Sequence, residues 1–232
     1  MKIKSSVTSL PNAMQECLSI TITNSAPLSI RWQRTKRNVA VYGSVYANRS
    51  VGGVVGKTGR GIDTVIENCA NFADVKSTDS KGAGGIVGAG WNGAVIRNCC
   101  NAGSVETTCR RGMTGGIAGS SEATVINCFN VGKITGPAGN DTSAIASDNG
   151  GSVFENCYWL TGSADSGVYR RTYDSVIEKS EAEMKSAEMA GLLGDAFTTD
   201  YGGVNSGYPI LKWQNTGGGG GGTGSGKDEE SV

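Results

Sequence analysis

Apolar residues along the middle of this chain follow two periods at once. Over four to six residues they alternate with polar or small ones, as in β-strands, and within these stretches none shows the 3.6-residue spacing of a helix. Over a longer distance whole segments return. Gly52-Gly53-Val54-Val55-Gly56 recurs as Gly84-Gly85-Ile86-Val87-Gly88 and Gly115-Gly116-Ile117-Ala118-Gly119, with a degenerate copy at Ser143-Ala144-Ile145-Ala146-Ser147; successive starts lie 32, 31 and 28 residues apart. Each is followed by a second anchor: Val65-Ile66-Glu67-Asn68-Cys69, Val95-Ile96-Arg97-Asn98-Cys99, Val125-Ile126-Asn127-Cys128 and Val153-Phe154-Glu155-Asn156-Cys157. A third closes the unit, as Asn71-Phe72-Ala73-Asp74-Val75, Asn101-Ala102-Gly103-Ser104-Val105 and Asn130-Val131-Gly132-Lys133-Ile134.

A unit of about 30 residues with three short β-prone stretches cannot bury a core by itself. Stacked so that equivalent strands pair in parallel about 4.8 Å apart, the units bury one continuous interior. The expected fold is therefore all-β: a parallel β-helix (β-solenoid) of four coils over residues 39–160, with three short strands per coil. Val54, Ile86, Ile117 and Ile145 form one predicted inward column. Ile66, Ile96, Ile126 and Phe154 form a second, and Val75, Val105 and Ile134 a third. Glu67 is expected over Arg97 on the solvent side.

Asn68, Asn98, Asn127 and Asn156 recur where a corner is needed. Asparagine tolerates the left-handed backbone of sharp turns, and stacked amides can hydrogen-bond along a column. The neighbouring Cys69, Cys99, Cys128 and Cys157 are read as buried, reduced thiols, because parallel Cβ vectors in one column suit a disulfide badly. Cys109, beside Arg110 and Arg111, is the expected reactive cysteine.

Flanking regions break the pattern. Residues 1–38 are expected to be a poorly structured basic segment, carrying Lys2, Lys4, Arg31, Arg34, Lys36 and Arg37 against Glu16. Residues 161–215 are expected to cap the solenoid's C-terminal end. Ser180 and Glu183 have capping-box spacing, which predicts a helix over 180–193 with Met184, Ala187 and either Ala190 or Leu193 on one face, followed by a strand around Ile210 to Trp213. Residues 216–232, with six consecutive glycines, read as a disordered tether.

Composition narrows the chemistry. The 21 basic and 21 acidic residues cancel, so no overall field favours nucleic acid. No apolar run spans a bilayer, and Met1 to Ile20 lacks the apolar core of a signal peptide. Histidine is absent and the seven cysteines form no Cys-x-x-Cys pair, which argues against metal sites and nucleophile–base pairs. No catalytic residue, metal or cofactor is expected.

The Gly-Gly-Ile-Val-Gly and Asn-Cys-x-Asn-x-Gly elements resemble GLUG-motif repeats of large bacterial surface proteins. Lys179 to Ser186 and Tyr208-Pro209-Ile210-Leu211-Lys212-Trp213-Gln214 are similar to the ends of such arrays, so the resemblance covers about residues 39 to 214. It implies an exported, cell-surface module that belongs to a larger protein. The reading that follows is a noncatalytic adhesin-like or stalk segment, with host glycans or surface proteins as partners. Trp91 and Tyr158 are candidate aromatic contacts, whereas Phe129 and Trp159 read as packing residues. The rival reading is a β-helix polysaccharide lyase or glycoside hydrolase. It needs clustered carboxylates, yet Asp74, Ser104 and Lys133 share one column, and Asp63, Asp74 and Asp79 read as a solvated edge.

Overall fold

The computed structural model describes residues 35–60, 62–78, 82–110, 112–137 and 142–215. Most of the expected N-terminal segment and the glycine-rich tail lie outside these residues. The described chain winds into a parallel β-solenoid of four full coils and a contracted fifth, with parallel pairing throughout the stacked strands.

Four faces run along the solenoid. Face 1 stacks Thr35–Arg37, Thr64–Glu67, Ala94–Arg97, Thr124–Ile126 and Val153–Glu155. Face 2 is the narrow one, stacking Ala40–Val41, Ala70–Asn71, Cys100–Asn101, Phe129–Asn130, Cys157–Leu160 and Val176–Lys179. Face 3 stacks Ser44–Ala47, Asp74–Ser77, Val105–Thr107 and Ile134–Thr135. Face 4 carries the glycine motif. Its strands are split at the Gly-Gly pair in the first three coils and continuous over Ser143–Asp148 in the fourth; Ser166–Val168 adds the fifth layer. The narrow face 2 adds a fourth strand to the three anticipated from the repeat. Thr35–Arg37 pairs with Thr64–Glu67, so the solenoid begins four residues ahead of the expected boundary.

The expected aliphatic columns form the core, with one exchange. Ile86, Ile117 and Ile145 are fully buried, as are Ile66 and Ile96, and Val75, Val105 and Ile134 are buried under faces 3 and 4. Each such side chain contributes about 1.5–3 kcal/mol by leaving water. In the third unit, however, Val125 rather than Ile126 faces inward: Val125 pairs with Ile96, and Ile126 stands over Arg97 on the solvent side. The Val-Ile pair of that unit stands one residue closer to its asparagine than the matching pair in the other three units. The corner fixes the register, and a one-residue slip turns every side chain over.

After Leu160 the fifth coil contracts and closes the core. Ser163 accepts the Ile134 N–H at 2.8 Å, Tyr173 packs on Phe154 at 4.8 Å between centroids, and Ser175 Oγ donates to the Phe154 carbonyl at 2.7 Å. Two short helices follow, α1 (Glu181–Met184) and α2 (Ala187–Leu192), in place of the single helix over 180–193. Ser180 and Glu183 do form the capping box. The helix restarts at Ser186, whose hydroxyl accepts the Met189 N–H and supplies a second N-cap.

These helices and the residues after them do not sit on the solenoid's end. They form a strap along face 2, running back toward the first coils: Asn156 donates to the Leu192 carbonyl, while Trp213 Nε1 donates to the Asn68 carbonyl at 2.9 Å. The cause lies in face 2 itself. Its outward column, Ala70, Cys100, Phe129 and Tyr158, is apolar and packs against Met184, Met189, Leu193, Phe197 and Leu211. Residues 161–179 already occupy the end, so the exposed apolar area that demanded cover was lateral. The strap's last loop is tied by Asp200, which accepts backbone N–H groups of Val204, Asn205 and Gly207 at 2.9, 2.7 and 3.1 Å. Burial opposes ionisation of Asp200, but these donors hold its pKa below the ordinary carboxylate value.

Candidate binding faces and the interior ladders

Asn68, Asn98, Asn127 and Asn156 stand at the corner between faces 1 and 2, all left-handed with φ of 50–54°. Asn38 adopts the same conformation one coil earlier, at φ 56°. Their amides link coil to coil: Asn98 Nδ2 donates to Asn68 Oδ1 at 3.0 Å, Asn127 to Asn98 at 3.2 Å and Asn156 to Asn127 at 2.8 Å. The row ends at Asn156, whose Oδ1 accepts the Tyr158 hydroxyl at 2.6 Å.

A second asparagine ladder, Asn71, Asn101 and Asn130, lies inside the solenoid and is completely buried. Asn71 Nδ2 donates to Asn101 Oδ1 at 2.7 Å, Asn101 Nδ2 to Asn130 Oδ1 at 2.7 Å, and Asn130 Nδ2 to Ser163 Oγ at 3.3 Å. Each Nδ2 also donates at 2.9 Å to the carbonyl two residues on, that of Ala73, Gly103 or Gly132. The second glycine of each motif faces this row. A Cβ at Gly53, Gly85 or Gly116 would lie 2.4, 2.2 or 2.4 Å from Oδ1 of Asn71, Asn101 or Asn130. The two most regular elements of the repeat therefore meet across the interior. In the fourth coil Ala144 replaces that glycine and Trp159 takes the asparagine's column.

Cys69, Cys99, Cys128 and Cys157 are fully buried and free, beside the corner row. Each Sγ donates to the carbonyl two residues back, at 3.2, 3.1, 3.2 and 3.4 Å. Burial pushes the Cys157 thiol up to about 12 and raises Cys99 and Cys128 in the same direction; the Cys99 thiol and burial together raise Cys69. Cys100 points the other way, under the strap, and burial raises its pKa too. Cys109 is half-exposed, unlike the other described cysteines. Arg110 adjoins it, and Arg111 lies outside the described residues.

Among the described residues, the outward charged side chains form no recurring constellation. Glu67 is clamped between Arg37 and Arg97, with Arg97 Nε donating at 2.8 Å; Lys76 pairs with Glu106 at 2.8 Å; Ser104 donates to Asp74 at 2.6 Å. The column Ser44, Asp74, Ser104, Lys133 holds a single carboxylate, that of Asp74. Asp63 is exposed, and Asp79 lies outside the described residues. Among the described residues, no group of three or more Cys, Asp or Glu is placed to hold a metal ion. No helix there is long and apolar enough to cross a membrane.

The two aromatic candidates part company. Tyr158 is buried beneath the strap with its hydroxyl on Asn156, so the strap takes the surface that a ligand would need. Trp91 remains lateral and half-buried near the corner between faces 4 and 1. The Arg60 guanidinium lies 4.0 Å from its ring centre and the Lys57 ammonium 5.6 Å. Phe129 and Trp159 are both buried packing residues.

Two features escaped the sequence reading. The interior ladder had a visible signal, Asn-x-Ala or Asn-x-Gly at spacings of 30 and 29 residues. The Asp148 cluster had none. Its buried carboxylate accepts the Tyr173 hydroxyl at 2.8 Å and the Gly150 N–H at 2.8 Å and pairs with Arg171 at 3.1 Å, all from nonrepeating sequence. Burial opposes its ionisation, but the hydrogen bonds keep its pKa below the ordinary value.

This geometry defines a parallel β-solenoid repeat protein. Among solved structures it is similar to the crystal structure of a "putative immunoglobulin A1 protease from Bacteroides ovatus", with a TM-score of 0.55 and 23% sequence identity. The match covers 76% of this chain and 57% of that one, so the chain spans a little over half the neighbour's length. At that identity the likeness concerns the fold alone. No protein-family model matches the chain, and no curated protein matches it.

Proposed function

We propose that this chain is a noncatalytic module of an exported bacterial surface protein, a GLUG-like solenoid segment that serves as a stalk or adhesin-like spacer. The resemblance to GLUG repeats rests on the recurring motifs alone. One observation carries the functional reading: the recurring asparagines, cysteines, glycines and aliphatic residues are all engaged in bonding or packing coil to coil. What recurs serves construction. Recognition then falls to nonrepeating outward residues, and Trp91 with Arg60 and Lys57 is the lateral patch best suited to stack on a sugar ring or a partner's side chain.

The test pairs a glycan array and host-cell binding with a search for turnover. Binding that falls at least about tenfold in Trp91→Ala supports a lateral contact, and silence in every binding assay leaves the spacer role. Release of reducing or unsaturated ends from pectin, alginate or mucin glycans would overturn the noncatalytic reading. Cleavage of immunoglobulin A1, the activity in the structural neighbour's name, would do the same.

A further inference from the structure

The two ends of the solenoid differ. Residues 161–179 close the C-terminal end. At the other end no described strand pairs with the outer edges of Thr35–Arg37, Ala40–Val41, Ser44–Ala47, Val51–Gly52 or Val55–Lys57. Val39, Val41, Val45 and Val55 are only half-buried there. Edges this apolar, paired with no described strand, invite strand addition.

The interior states what the next strand on face 4 must look like. Where asparagine fills the column on face 2, the facing residue is glycine: Gly53 with Asn71, Gly85 with Asn101, Gly116 with Asn130. Where the column holds Trp159, the facing residue is Ala144. In the first coil the same column holds Val41, paired with Asn71. A strand preceding Val41 therefore has no amide to avoid, and alanine fits where glycine was required. Ser25-Ala26-Pro27-Leu28-Ser29 answers this description. Ser25 stands fourteen residues before Val39, as Ser143 stands fourteen before Cys157, and both motifs begin Ser-Ala and end in Ser.

We propose that the segment Ser25 to Ser29 of this chain is the occupant of that edge, seated over Val51 to Val55 as one more layer of face 4. Ala26 then faces Val41, and Leu28 extends the core column of Val55, Val87 and Ala118. Pro27 lacks an N–H, but the position tolerates the loss. The Ile86 carbonyl accepts from both Val54 and Val55, and the Ile117 carbonyl from both Ile86 and Val87. The Leu28 N–H alone can thus serve the Val54 carbonyl. The proposal is independent of the functional reading above.

Hydrogen–deuterium exchange on the full chain tests it, with peptides spanning residues 22–34 followed by mass spectrometry. Amides of Ala26, Leu28 and Ser29 should exchange at least about 100-fold more slowly than in a free peptide of the same sequence. Leu28→Asp should abolish that protection while the strand around Ile117 stays protected. Free-peptide rates in the parent, or protection unchanged in Leu28→Asp, would overturn the proposal. So would protection that vanishes on dilution, which would make a second copy the occupant.

Discussion

Two asparagine ladders run along this solenoid, and they use the same side chain for different ends. At the corner, Asn68, Asn98, Asn127 and Asn156 are chosen for their backbone: each holds a left-handed φ that most residues resist, and the amide bonds are additional. In the interior, Asn71, Asn101 and Asn130 are chosen for their amides, which satisfy one another and the carbonyls two residues on while fully buried. Exposure sets the difference. A half-exposed amide that loses its neighbour can turn to solvent, whereas a buried one leaves its partners unpaired.

The contrast is testable by substitution, with the aliphatic column as a yardstick. Ile86→Asp should cost about 5 kcal/mol or more, enough to unfold the array, because a carboxylate has no partner in that column. Parent-like melting would remove Ile86 from the core. Asn101→Ala comes next, at about 3 kcal/mol in denaturant titration, since it strips partners from Asn71, Asn130 and the Gly103 carbonyl. Gly85→Ala should cost a similar amount by driving a methyl group into Asn101. Asn98→Ala should cost only about 1–2 kcal/mol, and Asn98→Gly about 1 kcal/mol or less, because glycine keeps the corner and loses just the amide. Equal losses at positions 98 and 101 would erase the distinction between the ladders.

The thiol row gives a pH-dependent counterpart. Folding raises the thiol pKa values, so the folded state favours the protonated form. The resulting stability is fully present below the ordinary thiol value near 9 and is lost as pH climbs toward about 12. Denaturation midpoints should therefore hold from pH 7 to 8 and fall beyond about pH 9. In the native protein a thiol reagent should reach Cys109 before Cys69, Cys99, Cys128 or Cys157. Rapid labelling of those four would place them at the surface.

The strap offers the smallest and most local effect. Trp213→Ala removes the bond to the Asn68 carbonyl and should loosen the strap's far end by about 1 kcal/mol, seen as faster labelling of Cys100 with little change in midpoint. Unchanged Cys100 labelling would mean that the strap is held without Trp213.

How legible each part was follows from what repeats. Ile86, Ile117 and Asn98 could be placed because three or four copies vote for each position. Ile126 could not, since its Val-Ile pair stands one residue closer to the corner asparagine than in the other units, and only the corner's register shows which of the two faces inward. The interior ladder repeats as regularly as the corner ladder. It was hidden because Asn-x-Gly reads as a turn signal when the glycine across the interior is unseen. Tyr158 and the strap were beyond reach for another reason: whether an apolar column faces inward or outward depends on the two-residue strand of face 2, too short to show an alternation. A segment that occurs once carries no spacing from which its docking place could be inferred.

The two ladders also point in opposite directions. Corner amides donate toward the first coil, with Asn98 giving to Asn68, while interior amides donate toward the last, with Asn71 giving to Asn101. Each added coil thus contributes two nearly antiparallel dipoles. An α-helix accumulates partial charge at its ends because all its peptide dipoles align. These paired rows cancel instead, so lengthening the array by another repeat adds buried amides without building an axial field that would pull ions to one end.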